Sequence, residues 1–196
     1  EIAKKDYTLV RYPAMDEIKS AADGGEVYYI FRDGLIYLTA GDKLFVTDDI
    51  AGVFSLENEK YTYDCKAQYL YALKNSLPLP KVSFDLKLAA YLLSPTDSDY
   101  GFDSLTTKFG KAEYTLNFAA EFGDDESAFN DACKLFFLCK TLYSELEKAD
   151  MLSLLSDIEI PLSETLSAME FEGFELDRDG IQAFDRTLSA EIERLR

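Results

Sequence analysis

The sequence predicts an α/β domain with a mixed sheet flanked by helices and closed by a short helical extension. Three observations carry this expectation. Short aromatic and β-branched runs, separated by turn residues, crowd the first fifty positions as a meander requires. Runs with helical spacing dominate the later part. Between the two, helix and strand signals alternate from Tyr63 to Pro95, the pattern of a parallel addition to the meander's sheet. Apolar residues make up 47% of the chain and aromatic residues 14%, enough for a packed core rather than disorder.

Taken in order, Tyr7 to Arg11 reads as a strand and the stretch near Ala14 to Ala22 as a helix. EVYYIF (Glu26 to Phe31), LIYLT (Leu35 to Thr39) and KLFVT (Lys43 to Thr47) follow, punctuated by Asp33-Gly34 and Gly41-Asp42. They predict three antiparallel strands. Tyr63 to Leu73 reads as a helix with Ala67, Leu70 and Leu73 on one side and Asn75 near its end. Val82 to Phe84 is a short strand running into a helix that is apolar on nearly every side (Leu86, Leu88, Ala89, Leu92, Leu93). That helix should be deeply buried, capped by Asp85 and stopped at Pro95. Pro95 to Ser104 is polar and should be an exposed loop before a helix at Leu105 to Phe109. Gly123 to Glu126 reads as an acidic loop, and Ala128 to Ala149 as one long helix carrying Leu135, Phe136, Leu138, Leu142 and Leu146.

Pro161 suits a first helical turn, because its missing N–H would have no partner there. Leu162, Leu166 and Met169 then recur on one face, and Gly173 stops the helix. Phe174 to Leu176 crosses in extended form, and Asp177 caps a last helix running to Arg196. Ile181, Phe184, Leu188, Ile192 and Leu195 give that helix an apolar stripe. A domain boundary near Leu155 separates residues 1–155 from residues 156–196.

The formal net charge is −17, with −10 over residues 1–150 and −7 over residues 151–196, so acidity is spread over both parts. No basic stripe of the kind that neutralises phosphates is visible. The acidic surface reads as solvation. Cys65, Cys133 and Cys139 have no metal-type spacing, histidine is absent, and the thiols suit a reducing compartment. With no leader and no run of twenty apolar residues, cytoplasm is the expectation and a membrane is not.

Two stretches say more. VSFDLKLAAYLLSP (Val82 to Pro95) and IEIPLSETLSAMEFEGFELD (Ile158 to Asp177), in that order, closely resemble bacterial DNA polymerase I of family A. There the first lies inside the 3′–5′ exonuclease domain and the second opens the polymerase domain. The resemblance implies a ribonuclease H-like (DnaQ-like) 3′–5′ exonuclease fold over residues 1–155. It implies the N-terminal helices of a polymerase domain over residues 156–196. The chain stops far short of a polymerase active site and so reads as a fragment.

Active members of this fold are implied to hydrolyse a phosphodiester with two divalent metals, held by converging carboxylates. The family supplies these in three motifs: an Asp-x-Glu pair ending the first strand, an Asp after the second motif's Asn, and a Tyr or His four residues before a last Asp. Set on this chain, Phe31 takes the first Asp position and only Asp33 could stand for the Glu. The one acidic-x-acidic triplet in the first sixty residues, Glu57-Asn58-Glu59, lies too close to the second motif to be the first. KYTYD resembles the second motif, with Lys60 at the Asn position and Asp64 retained. SAFND falls on the third, with Ser127 in place of the Tyr and Asp131 retained. Phe31 should fill the former cleft, Lys60 should repel cations if it lies there, and Asp131 should sit on the exposed side of the long helix. Asp64 reads as a surface acid early in a helix, where its charge suits the macrodipole. Tyr28 and Tyr29 read as sheet packing, not as base-stacking platforms.

Two carboxylates of four, with no water-orienting residue, predict no catalytic, cofactor or metal residues in this chain. Mg²⁺ is expected only in the polymerase part that is missing here. The leading expectation is a degenerate exonuclease domain that acts as a structural platform. Its parent would be a DNA-directed DNA polymerase, a nucleotidyltransferase of replication and repair, which meets DNA through its other parts. The alternatives are a divergent but active metal-dependent exonuclease, and a free-standing acidic interaction module.

Overall fold

The computed structural model describes residues 8–110 and 126–195. Its centre is a six-stranded mixed sheet in the order β1-β4-β3-β2-β5-β6. The meander is β2 (Val27–Arg32), β3 (Leu35–Ala40) and β4 (Lys43–Thr47), antiparallel throughout. Asp33 and Gly34, at φ 52° and 77°, form the tight turn between the first two, a conformation that favours glycine. On one side β1 (Thr8–Arg11) joins β4 in parallel. On the other, β5 (Lys60–Thr62) lies parallel to β2, and β6 (Val82–Asp85) parallel to β5.

Strand periodicity sends β2 side chains to two different cores. Val27, Tyr29 and Phe31 pack with α1 (Met15–Ala22), α2 (Ile50–Phe54) and α3 (Cys65–Lys74). Tyr28 and Ile30 face the opposite layer, built from α4 (Leu86–Leu93), α5 (Phe102–Phe109) and the long α6 (Glu126–Lys148). Leu135, Leu138, Leu142 and Leu146 of α6 are all buried there, and its first half covers β3 and β4 through Phe129, Ala132 and Cys133. The meander, the parallel addition and the long helix therefore stand as the sequence predicts.

Several elements differ. β5 and α2 go unread in the sequence, because KYT and IAGVF are too short to show a period. α5 begins at Phe102 instead of Leu105, so the end of the polar stretch is helical and the Phe102 ring is buried. In α4 only Leu86, Ala89 and Ala90 are buried and Tyr91 is exposed, so the helix is half-covered rather than immersed. Tyr7 and residues 123–125 of the acidic loop lie outside the described residues, and Glu126 opens α6.

After α6, a short α7 (Leu152–Leu154) leads through a π-helical turn (Leu155–Glu159) directly into α8 (Ile160–Glu172). Leu155 is buried against the α6 core, and α8 packs on α3. The face of α8 that meets the domain is Ile160, Ser163 and Ser167, whereas Leu162, Leu166 and Met169 are exposed. This corrects the apolar-face reading. Small side chains let two helix backbones approach, and the Ser167 hydroxyl donates to the Lys66 carbonyl at 2.9 Å. Gly173, at φ 68°, ends α8, and α9 (Arg178–Leu195) follows with none of its side chains buried.

Candidate functional site

In open α/β sheets, ligands gather outside the carboxyl ends of parallel strands. Here β2 and β5 are parallel neighbours, so Arg32 and Asp33 leave the sheet at the same end as Asp64.

Each residue singled out from the sequence has a definite place at or away from that end. Phe31 packs against Tyr71 (ring centroids 4.6 Å apart) and Phe54, on the α2–α3 side of the sheet. It thus points away from α6 and does not fill a cleft beneath Asp131, which corrects that expectation. The strand position facing α6 at this end is Arg32, and its Nη2 donates to Asp131 Oδ2 at 2.7 Å. Asp131 is 6% exposed, not on an open helix face as its sequence suggests. Burial raises its carboxyl above the ordinary range, and Arg32 and Lys134 only partly offset that effect. Asp33 is exposed and serves the hairpin turn. Ser127 is exposed in the first turn of α6, one turn before Asp131.

Asp64 stands immediately before α3 with φ 61° and accepts a bond from Lys87 Nζ at 2.6 Å. The two retained acids are therefore each bound to a different cation. Lys60 lies at the other end of β5, paired in register with Val27. Its side chain is wholly buried, its ammonium donates to the Leu56 carbonyl, and burial lowers its pKa. It adds no charge at the strand ends, so the condition under which it would repel cations there is not met. Tyr28 stacks on Tyr61 at 4.7 Å, and buried Tyr29 donates to Gln68 Oε1 at 2.6 Å, so both rings serve packing as expected.

Sequence reasoning missed Arg32 and one of the two bonds that Asp85 makes. Arg32 could have been found from strand alternation, since positions 28, 30 and 32 share a face. Asp85 was read as a cap for α4, and it accepts from Leu88 N at 2.8 Å. It also accepts from Cys65 N at 2.6 Å, joining two helix starts through one buried carboxylate. Burial pushes its carboxyl up to about 6, against the lowering effect of these two bonds.

A cavity of about 260 Å³ lies beside this cap, between α3, α4 and α8. Its two lysines are already engaged, Lys87 by Asp64 and Lys66 by Glu170. The residues at the strand ends do not fit a two-metal centre. Arg32 is paired with Asp131, and Asp64 is held by Lys87. Among the described residues no three His, Cys, Asp or Glu side chains come together as a metal site. No described helix is long and apolar enough to cross a membrane.

Comparison with known proteins agrees with this architecture. The family model for the ribonuclease H-like domain of DNA polymerase I matches residues 30–117. The chain is 27% identical over 175 residues to DNA polymerase I of Lactococcus lactis subsp. cremoris, covering 81% of this chain and 19% of that protein. It is 27% identical over 149 residues to the Bacillus subtilis DNA polymerase I, covering 70% of this chain and 17% of that protein. The chain thus spans about a fifth of the length of these relatives. Among solved structures, the POL domain of Pol1 from M. smegmatis, in complex with DNA primer-template and dNTP, superposes with a TM-score of 0.75. That match is 19% identical and covers 94% of this chain and 35% of the other. Escherichia coli RNase D, an exoribonuclease involved in structured RNA processing, gives a TM-score of 0.57 at 16% identity, covering 83% and 50%. Both structural matches speak for the ribonuclease H-like fold.

Proposed function

On the premise that the chain is related to the bacterial DNA polymerases I through their ribonuclease H-like domain, we propose that residues 1–155 are an exonuclease-like domain without a catalytic metal pair. It acts as a folded platform for a polymerase part that residues 156–196 begin. The parent carries out DNA-directed DNA synthesis in the cytoplasm, and DNA reaches it through the polymerase part rather than through this domain.

The Arg32–Asp131 ion pair carries this reading. A two-metal centre needs bridging carboxylates to offset the repulsion between ions about 3.5–4 Å apart. A guanidinium 2.7 Å from the carboxylate in question supplies the opposite charge to the one required. Ser127, where the family has a Tyr or His, offers only a short hydroxyl in place of the longer group that orients the water, a contribution of roughly 10²–10⁴-fold in rate. These losses multiply, because metal, water and phosphate act only when positioned together.

The test is incubation of the chain with 3′-labelled single-stranded DNA in millimolar Mg²⁺ or Mn²⁺. No shortening above a mock preparation is expected. Hydrolysis that Asp64→Ala or Asp131→Ala abolishes would overturn the proposal in favour of a divergent active exonuclease.

A further inference from the structure

We infer that Arg32 is a resident cation that docks α6 onto the end of β2 through Asp131, in the place where a ribonuclease H-like nuclease would use a bound metal. The inference rests on the reading above and assigns a role to a residue outside the family's motif positions.

Asp131 lies among the buried positions of α6, beside Ala132, Cys133 and Leu135. A carboxylate in such surroundings needs a charge partner or must give up its own charge. Asp103, in the first turn of α5, acts on it with the same sign and makes the need sharper. Lys134 acts from a distance, whereas Arg32 makes a direct bond. The contact spans 99 residues of sequence and joins a central strand to the helix that covers it. Alternation along β2 places Arg32 there: Tyr28 and Ile30 share the α6 face, and Phe31 turns to the other layer. A divalent ion would satisfy one buried carboxylate with a mobile charge. The guanidinium satisfies it with a charge that is part of the chain, so docking of α6 becomes independent of metal.

The experiment is urea unfolding of the 196-residue chain with Arg32→Met, Asp131→Asn and both together, each in EDTA and in millimolar MnCl₂. The expected coupling between the two substitutions is about tenfold in the unfolding constant, so that Arg32→Met does little further harm once Asp131 is Asn. The unaltered chain should respond to Mn²⁺ by less than about twofold. Arg32→Glu should unfold more readily in EDTA and recover about tenfold in Mn²⁺, and Asp131→Asn added to it should abolish the recovery. Additive effects of the two neutral substitutions, Mn²⁺ stabilisation of the unaltered chain, or no Mn²⁺ recovery by folded Arg32→Glu would each overturn the inference. If Arg32→Glu does not fold, the neutral cycle decides. DNA hydrolysis by the unaltered chain would sink the platform reading, whereas additivity without hydrolysis would sink only the role given to Arg32.

Discussion

Asp85 shows how much one buried side chain can hold. It is fully buried, it caps α4 through Leu88 N, and it takes the first N–H of α3 at Cys65. Asp85→Ala should lower stability by about 1–3 kcal/mol, since it removes a cap and leaves a buried donor unpaired. Asp85→Asn keeps one acceptor oxygen but sets its amide NH₂ against the other backbone N–H. It should therefore lose one of the two bonds and cost nearly as much, which urea unfolding at pH 7.5 would show. The same residue predicts a pH effect. Its carboxyl stands at about 6 in the folded chain against the ordinary 3.8, so the folded state holds the proton more tightly. The proton-linked part of its contribution to stability is therefore full below about pH 4 and lost as pH rises through about 6, while the two cap bonds persist. The stability gap between the unaltered chain and Asp85→Asn should shift in favour of the unaltered chain as pH falls across that window. A gap that does not move with pH would refute the assignment. The α4 cap was legible, because an Asp directly precedes an apolar helix run. The bond to Cys65 was not, because twenty residues separate the partners and nothing local marks it. Asp131 was misread for a related reason: a lone acid in a long amphipathic helix looks exposed unless its cation, here 99 residues away, is already placed.

At the scale of elements, periodicity was readable where it had length and unreadable where it did not. The three meander strands and α6 run long enough to show their periods, and they fall where the pattern puts them. β5 is three residues long and had been absorbed into a motif, which hid its part in the sheet. α8 misled for another reason. Its leucine spacing is real, yet the domain-facing side is serine, because close helix approach selects small residues over apolar ones. Ser167→Leu should therefore destabilise by about 1–3 kcal/mol through overpacking against α3, with loss of the bond to the Lys66 carbonyl added. Leu162→Ala, at a residue 44% exposed, should stay within about 0.5 kcal/mol. The reverse ranking in thermal or urea unfolding would show that the leucine face is the docked one. α9 allows a matching test. Ile181, Phe184, Leu188 and Ile192 are all about half exposed or more, so none contributes burial to the described fold. Phe184→Ser and Leu188→Ser should leave the unfolding midpoint of the domain unchanged, and α9 amides should exchange hydrogen before those of α6.

Across the whole molecule, charge decides what the domain can touch. The chain carries −17, and among the described residues several cations are engaged with its own acids. Arg32 binds Asp131, Lys43 binds Glu17, Lys66 binds Glu170, Lys87 binds Asp64, Lys108 binds Asp97 and Lys140 binds Glu26. Most of these pairs are partly exposed and add little stability, about 0–1 kcal/mol each. Their consequence for binding is larger. At these sites a DNA phosphate would have to displace a carboxylate already in place while approaching a molecule of its own sign. The sheet tyrosines offer no aromatic route, since Tyr28 and Tyr61 stack on each other and Tyr29 is sealed in the core. The exposed rings, such as Tyr12, Tyr91 and Phe174, lie scattered on separate segments of the chain. Stacking platforms need faces open to solvent. Single-stranded DNA should therefore bind this chain more weakly than about 10⁻⁴ M at physiological salt, the weak limit of ordinary non-specific binding. The slope of log K against log salt separates weak general attraction from a built groove. It approaches −0.7 for each phosphate neutralised on a single strand, so a chain that neutralises about one or none should give a nearly flat line. Fluorescence anisotropy with a labelled oligonucleotide, titrated from low to physiological salt, measures both quantities. A slope corresponding to about three or more phosphates would mean that the ion pairs open to receive DNA, and the platform reading would then have to give way to a binding one.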